Sequence, residues 1–144
     1  MIINEINIST KERYQLIDIT DKVETIVKEN NVKDGVVLVF VLHTTAGILL
    51  TENEEGLKND WLKVLGKWVH GFNPEGEQVP YGAGFEHNKN DNNADSHILA
   101  GLIGPEKILP IEDGKLIRGT WQNIFLAEFD GPRTRKIIVK VFEV

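Results

Sequence analysis

Three histidines in three different local settings are the residues of this chain best suited to chemistry. His43 ends the apolar run of residues 36–42 and is followed by the hydroxyls of Thr44 and Thr45. His87, followed by Asn88, lies in a long polar stretch. His97, two residues after Asp95, sits in the first turns of a helix, near backbone N–H groups that favour anions. A strand end, a loop and a helix can bring three imidazoles to one divalent ion and leave one position open for water or substrate. The spacing does not demand this, because His87 and His97 are ten residues apart and match no compact motif such as HExxH. Three hydrogen-bonded structural histidines are the competing reading. His70, at the end of a helix, suits a C-terminal position favoured by the dipole.

A second group lies towards the C-terminus. Arg133 and Arg135 can grip a phosphate bidentately, and Trp121, followed by Gln122, can stack on a planar ring or fill core. Side chains alternate along a strand, so Arg135 shares a face with Ile137, Val139 and Val141. On the preceding strand Glu128 shares a face with Ile124 and Leu126. Charges in line with apolar rows are costly unless paired or used, and a cross-strand Glu128–Arg135 ion pair is the structural alternative to a ligand role. Glu52 and Asn53 follow another strand; they are either site residues or a helix start with Asn53 as its cap. Neither a Walker or Rossmann glycine loop nor a nucleophile elbow is present.

The elements that must position these groups follow from periodicity. Residues 2–9 and 14–19 alternate around a turn at 10–12 and read as a hairpin. Asp21 and Glu24 signal a short helix running to about Asn30. The apolar run of residues 36–42 reads as a central strand covered on both faces, and residues 48–51 as another strand. Leu57, Trp61, Leu65 and Trp68 recur at helical spacing. Residues 70–93 lose all periodicity, as a long functional or disordered loop does. A helix follows to about Gly104, then strands at 107–111 and 115–118 and a closing hairpin. The order is β-rich with inserted helices, which predicts one α+β domain over residues 1–144 with mostly antiparallel sheet or sandwich.

Composition narrows the function classes. A net charge of −6 over 144 residues argues against a binder of the nucleic-acid backbone. A local cluster of Arg and His still admits a small anionic substrate. With no cysteine there is no disulfide and no thiolate ligand, which fits a reducing compartment. Neither a secretion signal nor a membrane span is visible, so the expectation is a soluble cytoplasmic protein.

Several motifs then stand in one order: His43-Thr44-Thr45-Ala46, Glu52-Asn53, His87-Asn88, Ala94-Asp95-Ser96-His97 and Gly119-Thr120-Trp121-Gln122. Glu128, Asp130-Gly131-Pro132-Arg133 and Arg135 complete the set. Together, over about residues 17–142, they resemble the YjbQ family (UPF0047), whose members are named secondary thiamine-phosphate synthases. Thr51, Ser96 and the Gly-rich stretch of residues 76–84 depart from the family's usual pattern. The resemblance implies a homotrimer with a weak activity that joins a pyrimidine-methyl diphosphate to a thiazole phosphate and releases pyrophosphate. It implies His43, His97, Asp95 and Glu52 as catalytic residues, and a divalent ion on His43, His87 and His97. Nitrogen ligands suit zinc or another transition ion better than magnesium. Thr44, Thr45, Asn53, Asn88, Trp121, Gln122, Arg133 and Arg135 would hold the small phosphorylated substrate. The alternatives are a metal-dependent phosphate or ester hydrolase, and a trimeric protein that binds a metal or small anion without catalysis.

Overall fold

Val37, Val39 and Val41 alternate with Val36, Leu38 and Phe40, and this period of two sets the main sheet. A computed structural model of the chain describes residues 3–71 and 85–144, with the side chains of residues 70 and 71 outside the description. The expectations for His70 and for most of the loop at 70–93 therefore lie outside the described residues.

Strand β1 (Ile3–Ser9) is followed by β2 (Gln15–Asp18), helix α1 (Thr20–Glu29), β3 (Gly35–Val41) and β4 (Ala46–Thr51). Helix α2 (Glu55–Gly71), a 3-10 turn (Glu86–Lys89) and helix α3 (Ala94–Ile103) come next. Strands β5 (Glu106–Glu112), β6 (Lys115–Leu116), β7 (Asn123–Glu128) and β8 (Thr134–Glu143) complete the described chain. One sheet has the order β1-β8-β3-β5-β6 and the other β2-β7-β4, and every ladder among them is antiparallel. The architecture is α+β, as the residue pattern predicts.

The two sheets face each other across the main core. Val37, Val39, Val41, Ile137 and Val139 from the large sheet meet Ile48, Ile124 and Leu126 from the small one, and Val23 and Val27 of α1 join them. The alternate residues of β7, Phe125 and Ala127, point the other way, where Phe129, Leu99 of α3 and Val69 of α2 cover them. The small sheet is thus buried on both faces and the layers run large sheet, small sheet, helices. No helix among the described residues is long and apolar enough to cross a membrane.

Several expectations are corrected. The β1 and β2 segments do not form a hairpin: β1 pairs with β8 and β2 with β7, so the chain changes sheet at the turn. The closing pair behaves the same way, with β7 in the small sheet and β8 in the large one. The period-two pattern was right in both cases; what it lacks is any record of which strand lies alongside. Strand β3 is central in its sheet but covered on one face only, since Val36, Leu38 and Phe40 are half-buried. On α2, Trp61, Leu62, Leu65 and Val69 turn inward and Trp68 is exposed, a rotation of the apolar stripe by one position. Helix starts also differ. Glu54, not Asn53, caps α2 by accepting from the N–H groups of Gly56 (2.9 Å) and Leu57 (2.6 Å). Helix α1 has no side-chain cap, and the Thr20 hydroxyl instead donates to Asp18 Oδ1 at 2.6 Å.

Candidate functional site

The crossing of β7 into β8 builds the floor of a cleft. Parity places Glu128 and Arg135 both inward, so they meet across the space between the two sheets rather than along one. Arg135 Nε donates to Glu128 Oε1 at 2.8 Å, and a terminal guanidinium nitrogen donates to Oε2. The same nitrogen donates to the Thr45 hydroxyl at 2.8 Å. Glu128 also accepts from the Thr10 hydroxyl (2.7 Å) and the Asp130 N–H (3.0 Å). Both charges are almost wholly buried, and this full set of partners is what makes such burial tolerable. Gly131 is required in the crossing segment, because a Cβ there would lie 2.0 Å from the carbonyl oxygen of Glu12.

Above this floor opens a cleft of about 1080 Å³ at the end of the sandwich. His43, Thr44 and Thr45 enter it from the end of β3, Asn93 and His97 from the start of α3, and Asp130, Arg133 and Arg135 from the crossing. Phe40, Leu42, Pro105 and Pro132 supply an apolar lip.

Asp130 organises the polar side. It is buried, and its Oδ2 accepts from Arg133 at 2.9 Å and from Asn93 Nδ2 at 2.9 Å, while Arg13 lies 3.7 Å from its Oδ1. Arg133 Nε donates to the Asp130 carbonyl at 2.8 Å, yet its side chain stays half exposed. With the Asn93 amino group directed at Asp130, its oxygen faces His87 Nε2 at 2.8 Å. An amide oxygen only accepts, so this network assigns the proton of His87 to Nε2. The His87 ring in turn meets the His97 ring edge-on, with centroids 4.8 Å apart.

His43 is defined from the other side. Its Nε2 accepts the backbone N–H of Lys136 at 2.9 Å, which puts the proton of the neutral ring on Nδ1. Burial, and then the positive charge of Arg135, hold its pKa below the ordinary histidine value. His43 is therefore a neutral donor at pH 7.

These positions do not fit a three-histidine ion site. The Nε2 lone pair of His43 is taken by the Lys136 N–H and its Nδ1 carries the proton of the neutral ring, so His43 has no nitrogen free for an ion, whereas His87, which donates from Nε2 to Asn93, keeps its Nδ1 lone pair. Among the described residues no three His, Cys, Asp or Glu side chains are grouped to hold a metal ion.

Other predicted residues frame the cleft without lining it. The buried carboxylate of Asp95 accepts from Arg13 (2.8 Å) and from the Tyr14 hydroxyl, which fastens α3 to the β1–β2 connection. Asn88 Oδ1 accepts the Ala94 N–H at 3.0 Å at the start of α3. A third group is elsewhere. Glu52, Asn53, Trp121 and Gln122 stand at the opposite end of β4 and β7, about 17 Å away along the strands. There Asn53 and Asn123 donate to Asp18 Oδ2 at 2.8 and 2.6 Å, and Gln122 Oε1 accepts the Gly119 N–H at 2.7 Å. Burial alone would raise the Asp18 pKa, but the bonds from Thr20, Asn123 and Asn53 outweigh it and lower the value. Sequence reasoning gave no role to Asn93, Asp130 or Arg13. Asp130 beside Arg133 carried a local signal; Arg13 carried none, since it reaches the site only through the change of sheet.

A family model described as UPF0047 protein YjbQ-like matches residues 4–144. The chain belongs to this family. A UPF0047 protein of Archaeoglobus fulgidus is 45% identical over 136 residues, covering 94% of this chain and 98% of the relative. YugU of Bacillus subtilis is 33% identical, with 97% and 98% covered. Among solved structures, a YbjQ-like protein of unknown function from Sulfolobus solfataricus has a TM-score of 0.89 at 40% identity, covering 99% of this chain and 97% of its own. A hypothetical protein of Aeropyrum pernix has a TM-score of 0.90 at 30% identity over the whole of both chains. The YjbQ-like fold is therefore common to relatives that differ at more than half of their positions.

Proposed function

We propose that the cleft binds a small phosphorylated molecule and that this YjbQ-like protein is a thiamine-phosphate synthase-like transferase. One observation carries the reading: a half-exposed Arg133, oriented by Asp130, stands over a cleft that His43, His97 and the Thr44 hydroxyl also line. Arginine held in this way offers its remaining donors to phosphate oxygens in a fixed fork. The Nδ1–H of His43 is a second, uncharged donor.

In the reaction the thiazole nitrogen gives its electron pair to the methylene carbon of the pyrimidine-methyl diphosphate. The carbon–oxygen bond breaks and its pair leaves on pyrophosphate. No proton is removed, so positioning and stabilisation of the leaving group dominate. Arg133, His43 and Thr44 supply that stabilisation, and no step is assigned to a metal ion. The reading includes a homotrimer, supported by an apolar outer face on the large sheet where Ile3, Leu38, Phe40, Ile108 and Ile138 are half-buried or exposed. A cysteine-free chain fits a cytoplasmic setting.

The test supplies the two precursors and measures thiamine phosphate and pyrophosphate. The wild type forms both, and His97→Ala loses at least about tenfold (1.4 kcal/mol of barrier) with an unchanged circular-dichroism spectrum. No product above blank at enzyme concentrations near those of the substrate sinks the reading. Phosphate release from the diphosphate alone would replace it with a hydrolase.

A further inference from the structure

The end of the molecule opposite the cleft is built with unusual care for an exposed surface, and nothing in the reaction above uses it. Trp121 is 71% exposed there, and Ile117 is 40% exposed close by in sequence. Glu52, Glu54 and Glu55 are all exposed at the same end of β4 and the start of α2. The turn that carries Trp121 is rigidly held. Gln122 folds back onto the Gly119 N–H, and the Arg118 guanidinium donates to the Gln122 carbonyl at 2.7 Å and to Glu24 at 3.1 Å. A large aromatic ring on a fixed turn, flanked by acids, has the composition of an interface anchor.

The cleft has the complementary composition. Its lip is apolar at Phe40, Leu42, Pro105 and Pro132, with Leu42 48% exposed. The side chains of Arg133 and Lys136, next to it, are 52% and 47% exposed. Phe40 and Leu42 also continue the apolar outer face of the large sheet, so the cleft and that face form one surface. We infer that a second copy of this chain seats its Trp121 turn at the mouth of the cleft, so that each site is completed by two subunits. Glu52 and Glu55, beside the turn at the end of β4 and the start of α2, then oppose Arg133 and Lys136, and the indole closes the apolar lip. Because the surfaces that meet are different, the contact is head-to-tail, and it closes into a ring when the rotation allows. The inference rests on the cleft being a ligand site. It adds that Trp121 and Gln122 belong to that site from a neighbouring subunit, although within one chain they lie at the far end of the sheet.

The absence of cysteine makes the test direct. In a Thr44→Cys, Gln122→Cys double variant the two thiols of one chain are more than about 17 Å apart, far beyond the reach of a disulfide. Mild oxidation should therefore link neighbouring chains, at a rate independent of protein concentration, and each single variant should stay unlinked on a denaturing gel. Mixing the two single variants should give the linked dimer as well, which covers a double variant that folds poorly. In solution Trp121→Glu should lower the mass measured by light scattering, with its circular dichroism unchanged. Folded variants that never link, or an unchanged oligomer mass for Trp121→Glu, would overturn the inference. Linking and mass do not depend on turnover. A linked protein without synthase activity thus removes only the proposed reaction, and an active protein without links removes only the shared site.

Discussion

At the scale of single residues, hydrogen-bond partners decide what each histidine of the cleft can do. His43 receives the Lys136 amide on Nε2 and keeps its proton on Nδ1, while the Asp130–Asn93 contact directs the proton of His87 to Nε2. Burial and Arg135 lower the His43 pKa, so the folded chain holds this proton less readily than the unfolded chain does. By linkage the contribution of neutral His43 to stability is complete above about 6.5 and is lost as pH falls from there through the lowered folded value. Imidazole titration followed by NMR should give His43 a midpoint below 6.5, and urea stability of the wild type should fall relative to His43→Phe over the same window. A midpoint at or above 6.5 would contradict the Lys136 contact. In the sequence these histidines were visible as polar residues at element ends. Their tautomers were not, because the partners lie as far away as Lys136 and Asp130.

Between elements, one ion pair joins the two sheets. Glu128 ends β7 and Arg135 is the second residue of β8, and both point into the space that the apolar rows of the two sheets fill. The alternation of side chains predicted this inward direction. It could not say that the strands belong to different sheets, and the pair was expected across neighbouring strands. Removing one member of a buried pair strands the other charge. Arg135→Ala should cost about 3–5 kcal/mol in urea unfolding, and Glu128→Leu with Arg135→Met should cost much less. Equal losses in the two variants would show that packing of the stems, not charge, holds the crossing. The same crossing carries Asp130 and Arg133, so its distortion should also weaken anion binding.

For the whole molecule, the sign of charge and the place of charge part company. The chain carries a net −6, yet its cleft gathers Arg133 and Arg135, each paired with an acid, beside two histidines and the hydroxyls of Thr44 and Thr45, and exposed acids stand at the other end. Such separation favours head-to-tail association of copies and local capture of a small anion. Because the histidines are not arranged to hold an ion, protein stripped with a chelator should keep its affinity for pyrophosphate, measured calorimetrically, to within about twofold (0.4 kcal/mol). A tenfold loss restored by zinc would reinstate the metal reading.

Much was written in the order of residues. The period-two rows, the helical stripes, the turn residues and the ordered motifs from His43 to Arg135 determined an α+β domain of the YjbQ type and pointed to His43, His97 and Arg133 as neighbours in one cleft. Local alternation and spacing carry the elements because they constrain which face a side chain takes, whereas the grouping of His43, His97 and Arg133 is implied by the resemblance of the ordered motifs to the YjbQ family. Tertiary structure alone decided the rest. It moved β1 and β2, and likewise β7 and β8, into different sheets, turned Asp95 to Arg13 and Tyr14, and sent Glu52, Asn53 and Trp121 to the far end. Those outcomes depend on which distant strand supplies the next hydrogen-bond ladder, a choice made by burial of the whole core and by no residue's neighbours in sequence.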